Sequence, residues 1–330
     1  MELYLIRHGE TVDNVAGLYA GVRDSALTNH GTDQARRLGE YFANHVKLTH
    51  IFSSPLSRAL KTAEAVRKAQ SGLNLHDAAA TAQSLDIVKV PDLIEQNFGY
   101  YEGKPFYARS DPKKTGRQVH YDTHKDDPGF VDVESKESIS RRADCFLDVH
   151  LLPLFEETAI GNPLVVVVVS HGILLSTLWR RLLLRLPRKS LTIAPHVTAA
   201  RGNIVVEHLG GWSNTGYLHL SLSNDTVMPG SPSALSSPLQ APGVAALEPA
   251  PTGAGEAVLL VSATVSRADR LPESLEAVPR LLPEWPTTIV AIDCKQHLNG
   301  LKRQRGGIGR LAYDEGQKRL DSFFKRERTG

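Results

Sequence analysis

Two short stretches of the chain end in the same pair of residues. Leu3-Tyr4-Leu5-Ile6 runs into Arg7-His8-Gly9, and Val165-Val166-Val167-Val168-Val169-Ser170 runs into His171-Gly172. Apolar and β-branched runs of this length suit short strands buried on both faces. In open α/β sheets, ligands gather beyond the carboxyl ends of the strands, so these are positions where side chains can do chemistry. A neutral imidazole there is a competent nucleophile near neutral pH, and a guanidinium is a permanent charge suited to an anion. If the two strands are neighbours, both imidazoles reach one edge.

The elements that would hold them follow in order. Thr28 is placed to cap a helix through Tyr41 and Phe42, with Ala35, Leu38 and Phe42 at helical spacing. Thr49–Ser53 reads as a second strand, and Ser54-Pro55 opens a helix through Leu56, Ala59, Leu60, Ala63 and Val66. Ile87–Pro91 reads as a third strand, and Pro91–Gly103 as a loop rich in acids and aromatics. Residues 104–137 carry many charges and little periodicity, and read as an insertion over the site. Its Lys104, Arg109, Lys113, Lys114 and Arg117 read as a solvated basic loop rather than a second anion site. Ser138–Phe155 looks helical, with Ile139, Cys145, Phe146 and Val149 as inward positions, and an apolar helix covers about Ile173–Leu186. Asn203–His208 and Tyr217–Leu222 read as further strands. Strands alternating with helices predict a three-layer α/β/α domain with a mostly parallel sheet.

Composition sets the frame. The 330 residues are 41% hydrophobic, ample for one large α/β core with appendages. The formal net charge of +2 gives no whole-molecule bias toward nucleic acid, and direct nucleic-acid binding is not expected. Two distant cysteines, Cys145 and Cys294, imply neither a disulfide scaffold nor a metal site. No signal peptide is visible and the apolar runs are too short to span a bilayer, so a cytoplasmic or nuclear protein without membrane contact is expected. Residues 223–256 are dominated by Ser, Pro, Ala and Gly and read as a disordered insert. Ala257–Ala263 and Thr287–Asp293 are strand-like again, so residues 257–300 could complete the catalytic domain of residues 1–222. Residues 301–330 form a basic tail, with nine Lys/Arg against four Asp/Glu.

Five blocks now carry a resemblance. Arg7-His8-Gly9-Glu10-Thr11 with Asn14, Leu27-Thr28 with Gly31, Ser53-Ser54-Pro55-Leu56-Ser57-Arg58-Ala59, Leu93-Ile94-Glu95 with Phe98-Gly99 and Glu102-Gly103, and Ser170-His171-Gly172 stand in the order seen in the histidine phosphatase superfamily. The chain resembles that phosphoglycerate mutase-like family over about its first two-thirds. The resemblance implies that His8 attacks phosphorus and forms a phosphohistidine. Arg7 and Arg58 would hold the equatorial oxygens, His171 would add a charge-assisted donor when protonated, and Asn14 would add a neutral donor. Glu95 would protonate the leaving oxygen and then activate water. Gly9 and Gly172 would line the substrate site. No metal or other cofactor is implied. The expected substrate is a phosphorylated small molecule or a phosphoprotein. The residue before Asn14 is Asp13 where the family's mutases typically carry Trp, which favours hydrolysis over mutase-type transfer.

The tail holds a second resemblance. Gln317-Lys318-Arg319-Leu320-Asp321-Ser322-Phe323-Phe324 is similar to the peptide that binds the sliding clamp of DNA replication, proliferating cell nuclear antigen (PCNA). One helical turn would put Leu320, Phe323 and Phe324 on one face as apolar anchors beside Gln317. The alternative it opens is a nuclear, clamp-binding interaction protein.

Overall fold

The computed structural model describes residues 1–73, 85–105, 121–158, 164–187, 190–223, 282, 285–304 and 307–314. By internal contacts the chain divides into two compact units, Met1–Asp225 with Arg280–Gly330, and Thr226–Pro279. Every described residue belongs to the first. The Ser/Pro/Ala/Gly-rich stretch after Ser223, the strand-like run Ala257–Ala263 and the motif Gln317–Phe324 lie outside the described residues.

Among the described residues seven strands make one sheet: β1 (Glu2–Arg7), β2 (His50–Ser53), β3 (Ile87–Lys89), β4 (Val165–Ser170), β5 (Leu191–Ile193), β6 (Tyr217–Leu222) and β7 (Thr287–Cys294). Their order is β3-β2-β4-β1-β6-β7-β5. Only β6 runs against the rest, pairing antiparallel with both β1 and β7. The helices are α1 (Val12–Ala16), α2 (Asn29–His45), α3 (Ser57–Leu73), α4 (Lys136–Phe146), α5 (Pro153–Thr158), α6 (Gly172–Leu183) and α7 (Pro195–Arg201).

The alternation of side chains along each strand sorts the core into two halves. Leu3, Leu5, Val166 and Val168 pack with Phe146, Leu174, Leu178 and Trp179 of α4 and α6. Tyr4, Ile6, Val167 and Val169 pack with Leu38, Phe42, Ala63 and Val66 of α2 and α3. Burial of both faces is why the valine run shows no polar alternation. Helices on both sides complete a three-layer α/β/α fold with a mostly parallel sheet.

Several local expectations are corrected. Asn203–His208 is not a strand. Its Ile204 and Val206 pack on the core as a loop, and the Val206 carbonyl accepts the indole N–H of Trp179 at 2.6 Å. Cys145 and Val149 face outward, because the inward stripe is Ile139, Ala143, Phe146, Leu147 and Leu151, and a π-turn over Leu147–Leu151 separates α4 from α5. Among the described residues after Gly300, several bond to the unit that holds β1 and α2. Arg303 forks onto Glu10, and Asn29 and Tyr313 exchange backbone bonds with Leu311 and Leu27.

Candidate active site

The site grows from the β1–β4 pairing. These strands are parallel neighbours with Arg7 opposite Ser170, so both chains leave the sheet at the same edge. His8 and His171 are the next residues, with ring centroids 5.1 Å apart. Hydrogen bonds define both tautomers. The Gly9 carbonyl, 2.7 Å from His8 Nδ1, can only accept, so Nδ1 carries the proton and Nε2 keeps a free lone pair. The guanidinium of Arg58 can only donate, so His171 Nδ1, 3.2 Å from Arg58 Nε, must accept. His171 then carries its proton on Nε2, 2.9 Å from Ser54 Oγ.

Burial first, and then the neighbouring guanidiniums of Arg58 and Arg7, hold His8 well below the usual imidazole range. Burial and Arg58 do the same to His171. The same causes disfavour charge on either ring. With Nδ1 on Arg58 and Nε2 on Ser54, His171 is held where it orients Arg58.

The two arginines divide the work of holding an anion. Arg58 is fully buried, and four of its five N–H groups are spent on His171 Nδ1 and on the carbonyls of Ala20, Gly21 and Arg23. One Nη1 hydrogen remains. Arg7 gives one bond to the Trp212 carbonyl, while its Nε is buried without a partner. An orphaned guanidinium N–H at a cavity wall suits a bidentate grip on a phosphoryl group. Asn14 accepts at Oδ1 from the Thr11 N–H and from Asn214 Nδ2, which leaves its own amide N–H groups for the cavity it lines.

Glu95 stands across from them. Its Oε1 accepts from the Gln96 and Leu174 N–H groups at 2.9 Å each, and Oε2 accepts only from Ile173 N–H at 3.1 Å. Oε2 is therefore the oxygen with a lone pair left for a proton. Arg142, ion-paired with Glu134, donates to the carbonyls of Asp92, Ile94 and Glu95 and so holds this loop. Glu102 acts structurally. Its carboxylate gathers the N–H groups of Gly21, Val22, Arg23 and Phe98, and so shapes the loop whose carbonyls bind Arg58. Gly172 lines the cavity, but Gly9 does not. The Gly9 N–H donates to Thr62 Oγ1, and a Cβ there would meet the Gly31 carbonyl at 2.6 Å, so this glycine serves close packing rather than substrate.

A second group of site residues has no signal in the sequence. The loop before β6 brings Trp212 to the cavity, and Asn214 Nδ2 behind it donates to the His8 carbonyl as well as to Asn14. Asp293, on β7, anchors that loop. It accepts from Ser213 N and Ser213 Oγ at 2.8 Å each, and its own φ is 45°, a left-handed conformation that is rare for a strand residue. A Cβ on Gly216 would collide with the same carboxylate. Backbone strain held in place beside a site is a common mark of function.

The cavity enclosed by these groups is about 430 Å³. Among the described residues no three His, Cys, Asp or Glu side chains gather into a metal-binding group. No helix among them is long and apolar enough to cross a membrane.

Comparison with known proteins gives this geometry relatives. The profile of the histidine phosphatase superfamily, branch 1, matches residues 3–216. A probable phosphatase of Schizosaccharomyces pombe is 35% identical over 189 residues, which are 55% of this chain and 56% of that protein, so the match spans little more than half of that relative's length. A probable phosphoglycerate mutase of Yersinia pestis is 32% identical over 183 residues, 56% of this chain and 75% of its own. Among solved structures, the phosphoglycerate mutase of Bacillus anthracis is similar with a TM-score of 0.44 and 24% identity, over 67% of this chain and 87% of that one. Mycobacterial glucosyl-3-phosphoglycerate phosphatase is similar with a TM-score of 0.42 and 23% identity, over 66% and 89%.

Proposed function

The chain belongs to the histidine phosphatase superfamily, and from that premise we propose that it hydrolyses phosphate monoesters through a phosphohistidine on His8. One observation carries the reading. The Nδ1–H of His8 is tied to the Gly9 carbonyl, which leaves an unprotonated Nε2 on a buried ring in the cavity that Arg7 and Arg58 also line.

In the first step the Nε2 lone pair forms the N–P bond as the P–O bond to the alcohol breaks. The leaving oxygen takes a proton from Glu95 Oε2. In the second step a water gives that carboxylate its proton, its oxygen bonds to phosphorus, and the N–P bond returns its electrons to His8. Arg7 supplies the fork, Arg58 one N–H, and Asn14 an amide to the phosphoryl oxygens. His171 acts through Arg58.

The family's relatives carry both phosphatase and phosphoglycerate mutase names, and in mutase-type transfer the phosphoryl group would return to substrate rather than pass to water. Hydrolysis of p-nitrophenyl phosphate by the full chain, beside His8→Ala, tests the reading. Release of nitrophenol that falls by about 10⁴-fold or more in the variant is expected; retained turnover would sink the mechanism. The motif Gln317, Leu320, Phe323 and Phe324 supports a separate proposal, docking of a sliding clamp, which rests on the sequence alone.

A further inference from the structure

The walls above the phosphate position differ in chemistry from its floor. Arg7 and Arg58 are the cations among the described lining residues, and both are committed to the floor. The upper lining is apolar: Leu18, Tyr19, Phe98, Ile173 and Trp212. Tyr19 and Phe98 form one wall, with ring centroids 4.8 Å apart, and Tyr101 extends it at 5.3 Å from Tyr19. Trp212 forms another. Its indole N–H donates to Ser176 Oγ at 2.9 Å, and that hydroxyl donates to the Gly172 carbonyl, so the ring is held upright and its polar edge is already used. Ile173 is 38% exposed at the first turn of α6, an apolar side chain left open where a substrate passes.

We infer that the alcohol released by this site is a flat, apolar one of aryl size, and not one that carries a second phosphate or a carboxylate. The inference rests on the proposal that Arg7 and Arg58 hold the phosphoryl group. A second anion placed against Tyr19, Phe98 and Trp212 would shed its water without meeting a partner charge among the described residues. A planar apolar group would instead pack against the aromatic faces of Phe98 and Trp212, and a cavity of about 430 Å³ has room for it beside a phosphoryl group. Hydroxyls spread over such a group would gain little, since the Trp212 indole and Ser176 hydroxyl already satisfy each other.

Binding of phosphonates, which cannot be hydrolysed, tests this without needing turnover. Titration calorimetry on the full chain would use three: 2-naphthylmethylphosphonate, 3,4-dihydroxybutylphosphonate and the carboxylate-bearing 2-hydroxy-4-phosphonobutanoate. The naphthyl ligand is expected to bind about 30-fold tighter than the dihydroxybutyl one, as roughly 80 Å² of extra buried apolar surface supplies. The carboxylate is expected to bring no gain. Phe98→Ala and Trp212→Ala should each narrow the 30-fold gap at least about fivefold, and Phe98→Leu should narrow it less. Tightest binding by the carboxylate ligand, or a gap that survives both alanine variants, overturns the inference. Loss of all three ligands in Arg7→Ala with a naphthyl preference in the wild type supports it, even if the wild type hydrolyses nothing. That last result would defeat the hydrolysis proposal alone.

Discussion

Removing the carboxylate of Asp293 should damage the site from a strand that never touches substrate. Asp293→Ala deletes two hydrogen bonds to Ser213, each 2.8 Å long and made to a side chain only 13% exposed. Bonds to an ionised acceptor are worth about 1.5 kcal/mol each, giving about 3 kcal/mol. The ion pair with Lys295 is 3.5 Å long and half exposed on the lysine side, so it adds little. The left-handed φ of 45° persists in the variant, and alanine tolerates it about 1 kcal/mol worse than aspartate. The expected loss is about 4 kcal/mol in urea unfolding. Asp293→Gly relieves the strain and should lose about 1–2 kcal/mol less, while Asp293→Asn keeps an acceptor for Ser213 N–H and should lose about 1–2 kcal/mol.

The same loop presents the Trp212 carbonyl to Arg7 and the Asn214 amide to the His8 carbonyl. A guanidinium displaced by even an ångström should lower kcat/KM for p-nitrophenyl phosphate by about 30–100-fold in both the alanine and the glycine variant. Glycine thus separates stability from activity, since it restores part of one and none of the other. If Asp293→Ala loses stability while kcat/KM stays within about twofold of wild type, the loop is only a structural tie and the reasoning fails.

Other expectations concern charge and position. Because His8 stays neutral well below its ordinary pKa, kcat/KM should show no acid limb near pH 6.5 from the nucleophile; a fall centred there in a pH–rate profile would contradict the burial argument. Stability has the matching sign. His8 and His171 lie well below the imidazole range, and His297 is pushed down to about 4 by burial. As pH falls below about 6.5 the unfolded chain takes up protons that these rings refuse, so stability drops by up to about 1.4 kcal/mol per histidine per pH unit; His297→Asn should flatten the measured dependence. Arg142→Ala should lower kcat more than KM, because it loosens Glu95 through its carbonyl bonds without touching the phosphoryl floor. For the tail, capture of the chain on immobilised clamp should vanish in the Phe323→Ala, Phe324→Ala double variant, and unchanged capture removes that proposal.

Much of this site is legible in the sequence because its parts sit at the ends of regular elements. The runs before His8 and His171 are apolar enough to demand burial on both faces, and parallel pairing then makes their next residues neighbours. Arg58 is legible from Ser54-Pro55, which fixes where α3 begins. What escapes the sequence depends on contacts without a period. Ser213 and Asp293 meet because β7 pairs antiparallel with β6, and 64 residues separate the two strands in the chain. Ile204 and Val206 look like strand residues because they are partly buried apolar positions, yet the sheet has no place for their backbone. The tautomer of His171 escapes the sequence as well: the arginine beside it, which residue spacing cannot orient, takes Nδ1 as an acceptor.

The most direct test of the mechanism is the identity of the phosphorylated atom. The full chain would be mixed with a radiolabelled phosphate monoester, quenched in alkali within milliseconds, and its labelled peptide examined by phosphorus NMR. The account predicts label on the peptide containing His8, attached to Nε2, because Nδ1 is committed to the Gly9 carbonyl. Label on Nδ1, or label that persists in His8→Ala, would contradict it.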